Sequence, residues 1–159
     1  MRDWEGTRGM ELLLWRHAEA EVGEPDFSRQ LTARGLRQAE RMAHWLAKRG
    51  PRSLEVYCSP AVRARQTAAA LGRPGRILEA LAPGASATAV LAATPWPDAP
   101  AAWLLVGHQP TLGRLAALLL GGEETDWSLR KGALWWFRSR YRDGCWQTQL
   151  YAVQDPGLM

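Results

Sequence analysis

Three short apolar runs, each stopping abruptly at a polar cluster, dictate most of what this chain can fold into. Residues 11–15 (ELLLW) end at Arg16-His17, residues 54–58 (LEVYC) at Ser59-Pro60, and residues 102–106 (AWLLV) at Gly107-His108. Continuous apolar runs of this length are the pattern of strands buried on both faces, and such strands belong to a mostly parallel sheet covered by helices. The sequence between the runs supplies those helices. Thr32 precedes apolar positions at Leu36, Ala39, Ala43, Leu46 and Ala47, and Gly50-Pro51 follows, which gives an N-cap, a helical period and a stop.

The rest of the chain continues the alternation. Pro60 leads into an Ala-rich helical segment at 62–71 that stops at Gly72, and residues 77–81 read as a weaker strand. Residues 86–93 form a short helical segment, and residues 94–100, with three prolines, read as a loop. A helix is expected over 111–120, stopped by Gly121-Gly122. Two aromatic runs, 134–138 and 146–153, flank Asp143-Gly144, a strong hairpin signal. The expected fold is α/β: a three-layer α/β/α sandwich whose ligands bind beyond the carboxyl ends of the strands.

A length of 159 residues suits one core, so the expected organisation is a short polar extension at residues 1–9 and a single domain over 10–159. No apolar run approaches the ~18 residues of a membrane span, and the polar start does not resemble a secretory signal, so a cytoplasmic location is expected. Cys58 and Cys145, without CxxC spacing, indicate neither a disulfide framework nor a zinc site. The net charge of +4 suits an anionic ligand, but no nucleic-acid-binding signature accompanies it. Most of the nine Trp residues, Trp15, Trp103, Trp135 and Trp136 among them, fall in apolar patterns that suggest core packing.

The chemistry lies in what the strand ends bring together. Arg16-His17, Ser59 with Arg63, and Gly107-His108 converge on one edge of the expected sheet, giving two imidazoles and two guanidiniums whose planar forks match phosphate oxygens. His44 lies within a helix, away from every strand end, and is read as an ordinary surface residue. Arg29 and Lys131 are read as solvated charges, with a rim position as the alternative, and Ser59 as a helix-capping residue.

The segments Leu14-Trp15-Arg16-His17-Ala18, Ser59-Pro60-Ala61-Val62-Arg63-Ala64-Arg65-Gln66-Thr67-Ala68 and Val106-Gly107-His108-Gln109-Pro110 resemble, in order, the landmarks of the histidine phosphatase (phosphoglycerate mutase-like) superfamily. Leu31-Thr32-Ala33-Arg34-Gly35 and Lys131-Gly132-Ala133-Leu134 look most like the phosphohistidine phosphatase SixA group within it. The resemblance implies that His17 attacks phosphorus in line to form a phosphohistidine that water then hydrolyses, and that Arg16, Arg63 and His108 bind the phosphoryl oxygens. It implies no metal or other cofactor. His17 must then be neutral, its second nitrogen held by an acceptor that fixes the tautomer.

One departure concerns the general acid. Many members carry a Glu in the third segment, where Ala80 stands here. Glu79 would point away if residues 77–81 were a strand, and Glu19 is the other candidate donor. Imidazole is an easier leaving group than an alkoxide, so a missing acid favours phosphohistidine on a signalling or phosphotransfer protein. The alternatives are a small phosphate ester as substrate, and a phosphoprotein-binding module without turnover. Little sequence lies between Leu81-Ala82-Pro83 and Trp103 to roof the site, and no heptad or apolar interface segment departs from a monomer.

Overall fold

The computed structural model describes residues 8–159. Most of the expected extension at residues 1–9 lies outside the described residues, and the first strand, β1, already spans Gly9–Arg16. The elements that follow are α1 (Ala33–Arg49), β2 (Leu54–Cys58), α2 (Val62–Ala69), β3 (Arg76–Ile77), α3 (Ala87–Ala92), β4 (Ala102–Gly107), α4 (Thr111–Gly121), β5 (Leu134–Arg142) and β6 (Cys145–Gln154).

They build one six-stranded sheet in the order β3-β2-β4-β1-β5-β6. β1, β2, β3 and β4 run parallel to one another, whereas β5 pairs antiparallel with β1 and β6 antiparallel with β5. The alternation of side chains along β1 explains the three layers. Leu13 and Trp15 pack with Met42, Leu46, Ala64 and Ala68 from α1 and α2. Leu12 and Leu14 pack with Val90, Leu112, Leu115 and Ala116 from α3 and α4 on the other face. Burying a side chain as large as Trp15 or Leu14 contributes about 1.5–3 kcal/mol, and β1 does so on both faces.

Local signals place the ends of the elements. Thr32 Oγ1 accepts from the Gly35 amide at 2.9 Å, capping α1. The hairpin turn puts Asp143 at φ 53° and Gly144 at φ 80°, the left-handed pair that an Asp-Gly connection supplies, and its strands reach beyond the expected aromatic runs.

The expected strand at 77–81 is corrected. Only Arg76–Ile77 pair with β2; Glu79–Leu81 then coil into a 3-10 turn. The Leu81 and Ala82 amides bond back to the Leu78 and Glu79 carbonyls, and the turn delivers Leu81 into the core at 2% exposure. The chain exchanges further sheet pairing for burial of Leu81, and the strand alternation that would have oriented Glu79 does not exist.

Candidate active site

Strand β1 hands its last residues to the carboxyl edge of the sheet. The Arg16 amide donates to the Ala133 carbonyl and the His17 amide to the Gly107 carbonyl, both at 3.0 Å. The Ser59 amide bonds the Val106 carbonyl in the same manner. The backbone ladder therefore fixes all three polar clusters beside one another. His17, Arg16, Arg63 and His108 line one cleft of about 290 Å³, together with Ala20, Asp26, Arg29, Pro83, Gln109 and Lys131.

His17 is 8% exposed, and its Nδ1 lies 2.8 Å from the Ala18 carbonyl oxygen. A carbonyl only accepts, so Nδ1 carries the hydrogen and Nε2 keeps its lone pair. The Ala18 peptide is anchored in turn: its amide donates to Thr67 Oγ1 at 3.1 Å, and that hydroxyl donates to the Arg63 carbonyl at 2.7 Å. Thr67 thus ties the loop that follows His17 to α2. Burial pushes the His17 imidazole down to about 4, against the Ala18 bond, which raises it; the charges of Arg63, Arg16 and Arg29 depress it further. The ring is neutral near pH 7, as a nitrogen nucleophile must be.

His108 is 4% exposed and is pushed down to about 3, first by burial, then by the charges of His17 and Arg63. Its Nε2 lies 2.7 Å from Ser59 Oγ. Arg16 is held by NH1 on the Leu129 carbonyl at 2.8 Å. Arg63 is gripped twice by Asp26, through NH1 to the backbone oxygen at 2.8 Å and NH2 to Oδ2 at 3.1 Å. Arg16 Nε, Arg63 Nε and His108 Nδ1 are buried and without hydrogen-bond partners among the described residues. Leaving one buried polar atom unpaired costs about 1–3 kcal/mol, so three in one cleft mark a site built for an acceptor-rich ligand.

The expected proton donors are not in the cleft. Glu19 turns outward: its Oε1 accepts from Thr32 Oγ1 at 2.9 Å, and its Oε2 lies 3.7 Å from Arg34 NH1. Glu79 is exposed on the 3-10 turn and does not line the site. The carboxylate that does line it is Asp26, which sequence reasoning missed. Burial alone would raise its pKa, but the hydrogen bonds and charges of Arg63 and Arg29 hold it below the usual range. The available signal was local: an acid three residues before Arg29, in a Pro-flanked loop otherwise serving a basic site. Arg29, read as a solvated charge, lines the cleft and binds Asp26 Oδ1 through Nε at 3.0 Å, and exposed Lys131 stands on the rim. His44 is exposed and outside the cleft.

A neutral imidazole with a free ring nitrogen, set among guanidinium and imidazole N–H groups at the end of a parallel sheet, can bind the oxygens of a phosphoryl group and present a nitrogen lone pair to it. The chain belongs to the histidine phosphatase superfamily (branch 1), whose family model matches residues 12–82. An uncharacterised protein of Picosynechococcus sp. is 37% identical over 142 residues, covering 82% of this chain and 86% of its own. Among solved structures, a proposed phosphohistidine phosphatase, SixA, of Nakamurella multipartitia is similar, with a TM-score of 0.76 and 28% identity over 93% of this chain and 96% of its own. The protein histidine phosphatase SixA in complex with tungstate matches with a TM-score of 0.73 and 25% identity, covering 94% and 99% of the two chains.

Proposed function

We propose that this histidine phosphatase hydrolyses phosphohistidine on a phosphotransfer or signalling protein, without a metal, through a phosphohistidine intermediate on His17. The observation that carries this reading is the state of the carboxylate in the cleft. Asp26 is ion-paired through both oxygens and held ionised, so it has no proton to give a departing alkoxide. Imidazole protonated on its distal nitrogen departs as a neutral molecule and needs no such donor. The likeness to SixA structures supports the same substrate class.

In the first step the His17 Nε2 lone pair forms the new N–P bond as the substrate N–P bond breaks, and that electron pair leaves on the substrate imidazole. Arg16, Arg63 and His108 spread positive charge and N–H dipoles over the equatorial oxygens, which costs no reorganisation because the groups are already held. In the second step water forms an O–P bond and gives its proton to solvent or to the released phosphate, while His17 departs with its Nδ1–H still donating to the Ala18 carbonyl.

The test is phosphate release from a phosphohistidine-bearing phosphotransfer protein, compared with p-nitrophenyl phosphate and a panel of sugar phosphates, with EDTA present. Turnover of the phosphoprotein with little action on sugar phosphates is expected. Preferential turnover of sugar phosphates would transfer the assignment to a small-metabolite phosphatase. Phosphoprotein binding without turnover would make the domain a recognition module.

A further inference from the structure

Ser59 is fully buried, and its side chain bridges two elements of the site. Its Oγ accepts from the Ala61 amide at 3.1 Å, at the start of α2, and lies 2.7 Å from His108 Nε2. Hydrogen-bond accounting settles which partner donates across that short contact. A serine hydroxyl has one hydrogen and two lone pairs, and the Ala61 amide uses one lone pair. If His108 Nε2 also donated to Oγ, the hydroxyl hydrogen would be left with no acceptor among the described residues, and the buried Nδ1 would be a bare lone pair facing an anion. With the hydroxyl donating to Nε2, the Ser59 hydrogen is used and Nδ1 carries the other one. The buried Nδ1, which has no partner among the described residues, is then an N–H donor.

We propose that Ser59 is a positioning residue that holds His108 as the Nδ1–H tautomer, so that this imidazole offers a hydrogen to the phosphoryl oxygens. The role exceeds helix capping, because the same hydroxyl that receives the Ala61 amide selects which nitrogen of His108 is protonated. The selection matters because burial keeps the free ring neutral, and a neutral imidazole has a single hydrogen to place. The Arg16 and Arg63 Nε–H groups are donors whatever their surroundings; His108 is a donor only in one tautomer.

The inference rests on the cleft being the phosphoryl site but not on which phosphorylated molecule fills it. Long-range 1H–15N correlation spectra of the uniformly labelled full chain near neutral pH read the tautomer directly. Wild-type His108 should show a protonated Nδ1 and an unprotonated Nε2. Ser59→Ala should transfer population to the Nε2–H form and lower kcat on p-nitrophenyl phosphate about tenfold, the scale of one hydrogen bond. Ser59→Thr, which retains the hydroxyl, should restore the Nδ1–H signature. A wild-type spectrum with the hydrogen on Nε2 overturns the proposal even if no variant folds, as does a Ser59→Ala protein with unchanged tautomer and rate. Because the spectrum needs no substrate, failure to turn over phosphohistidine would count against the function reading and leave this one to be judged separately.

Discussion

His17 and His108 face each other in the cleft with ring centroids 5.1 Å apart and planes tilted by 56°. Two imidazoles that close cannot both charge without cost, and the two take different parts because their hydrogen bonds differ. His17 spends its Nδ1 hydrogen on the Ala18 carbonyl and has a lone pair to give, whereas His108 is engaged at Nε2 by Ser59.

The pair should therefore separate on substitution. On the proposed mechanism His17→Ala removes the nucleophile and should lower kcat at least a thousandfold, with no phosphoenzyme trapped by an alkaline SDS quench, in which phosphohistidine survives. His108→Ala removes one donor to the transition state and should cost about 10²–10³ in kcat while still forming phosphoenzyme. Rapid-quench labelling of both variants checks this, and equal phosphoenzyme yields from the two would contradict the division of roles.

Asp26→Asn tests whether the carboxylate positions Arg63. Arg63 has 4% side-chain exposure against 46% for Asp26, so the pair is buried on one side and solvated on the other. Its worth to stability is discounted accordingly. The backbone oxygen of Asp26 still holds NH1, and the expected effect is a rise in KM for p-nitrophenyl phosphate of about three- to tenfold with a smaller loss in kcat. An unchanged KM would mean that the Asp26 side chain does not orient the arginine.

Glu19→Gln and Glu79→Gln should each leave kcat on the phosphoprotein within about twofold of wild type, because neither side chain lines the cleft. A loss of tenfold or more with Glu19→Gln, with the melting temperature unchanged, would return a proton donor to the mechanism.

How much of this was legible beforehand follows from what each signal encodes. The apolar runs placed β1, β2 and β4, and the strand ends placed Arg16, His17 and His108, because burial on two faces and abrupt polarity are written residue by residue, whereas Arg63, inside α2, was reached through its spacing from Ser59-Pro60. Leu78 to Leu81 misled because a short apolar stretch looks the same whether it pairs as a strand or coils inward, and the burial of Leu81 decided between them. Asp26 and Arg29 sit in a loop between Ala20 and Leu31, whose path is set by tertiary contacts such as the Leu31 amide on Gln66 Oε1. A loop without periodicity offers only a local sign, here the Asp26–Arg29 spacing, of which charges it turns inward.

Gly35 illustrates a constraint that the sequence carried without explaining. A Cβ at this position would lie 2.0 Å from the Glu19 carbonyl oxygen, because the first turn of α1 packs directly on the loop that follows the nucleophile. Gly35→Ala should destabilise the fold by about 2–3 kcal/mol and disturb the Ala18 carbonyl that orients His17. Urea unfolding together with kcat measures both effects, and a variant as stable as wild type would show that the loop can retreat freely.

The two depressed imidazoles make stability depend on pH in a defined direction. In the unfolded chain each histidine titrates near ~6.5, whereas in the fold His17 titrates at about 4 and His108 at about 3. Between those limits the unfolded chain binds protons that the folded chain refuses, so stability falls as pH drops from about 6.5 toward 4, and the imidazole contribution levels off below about 3. His17 alone should account for about 3 kcal/mol of that fall, an order-of-magnitude figure from ~1.4 kcal/mol per pKa unit. Carboxylates add their own slope at the acid end, so the informative quantity is the difference between wild type and His17→Gln in urea midpoint across this range. The variant should lose less stability on acidification. Parallel curves for the two proteins would mean that His17 accepts a proton in the folded state as easily as in the unfolded one, and that burial does not hold the nucleophile neutral.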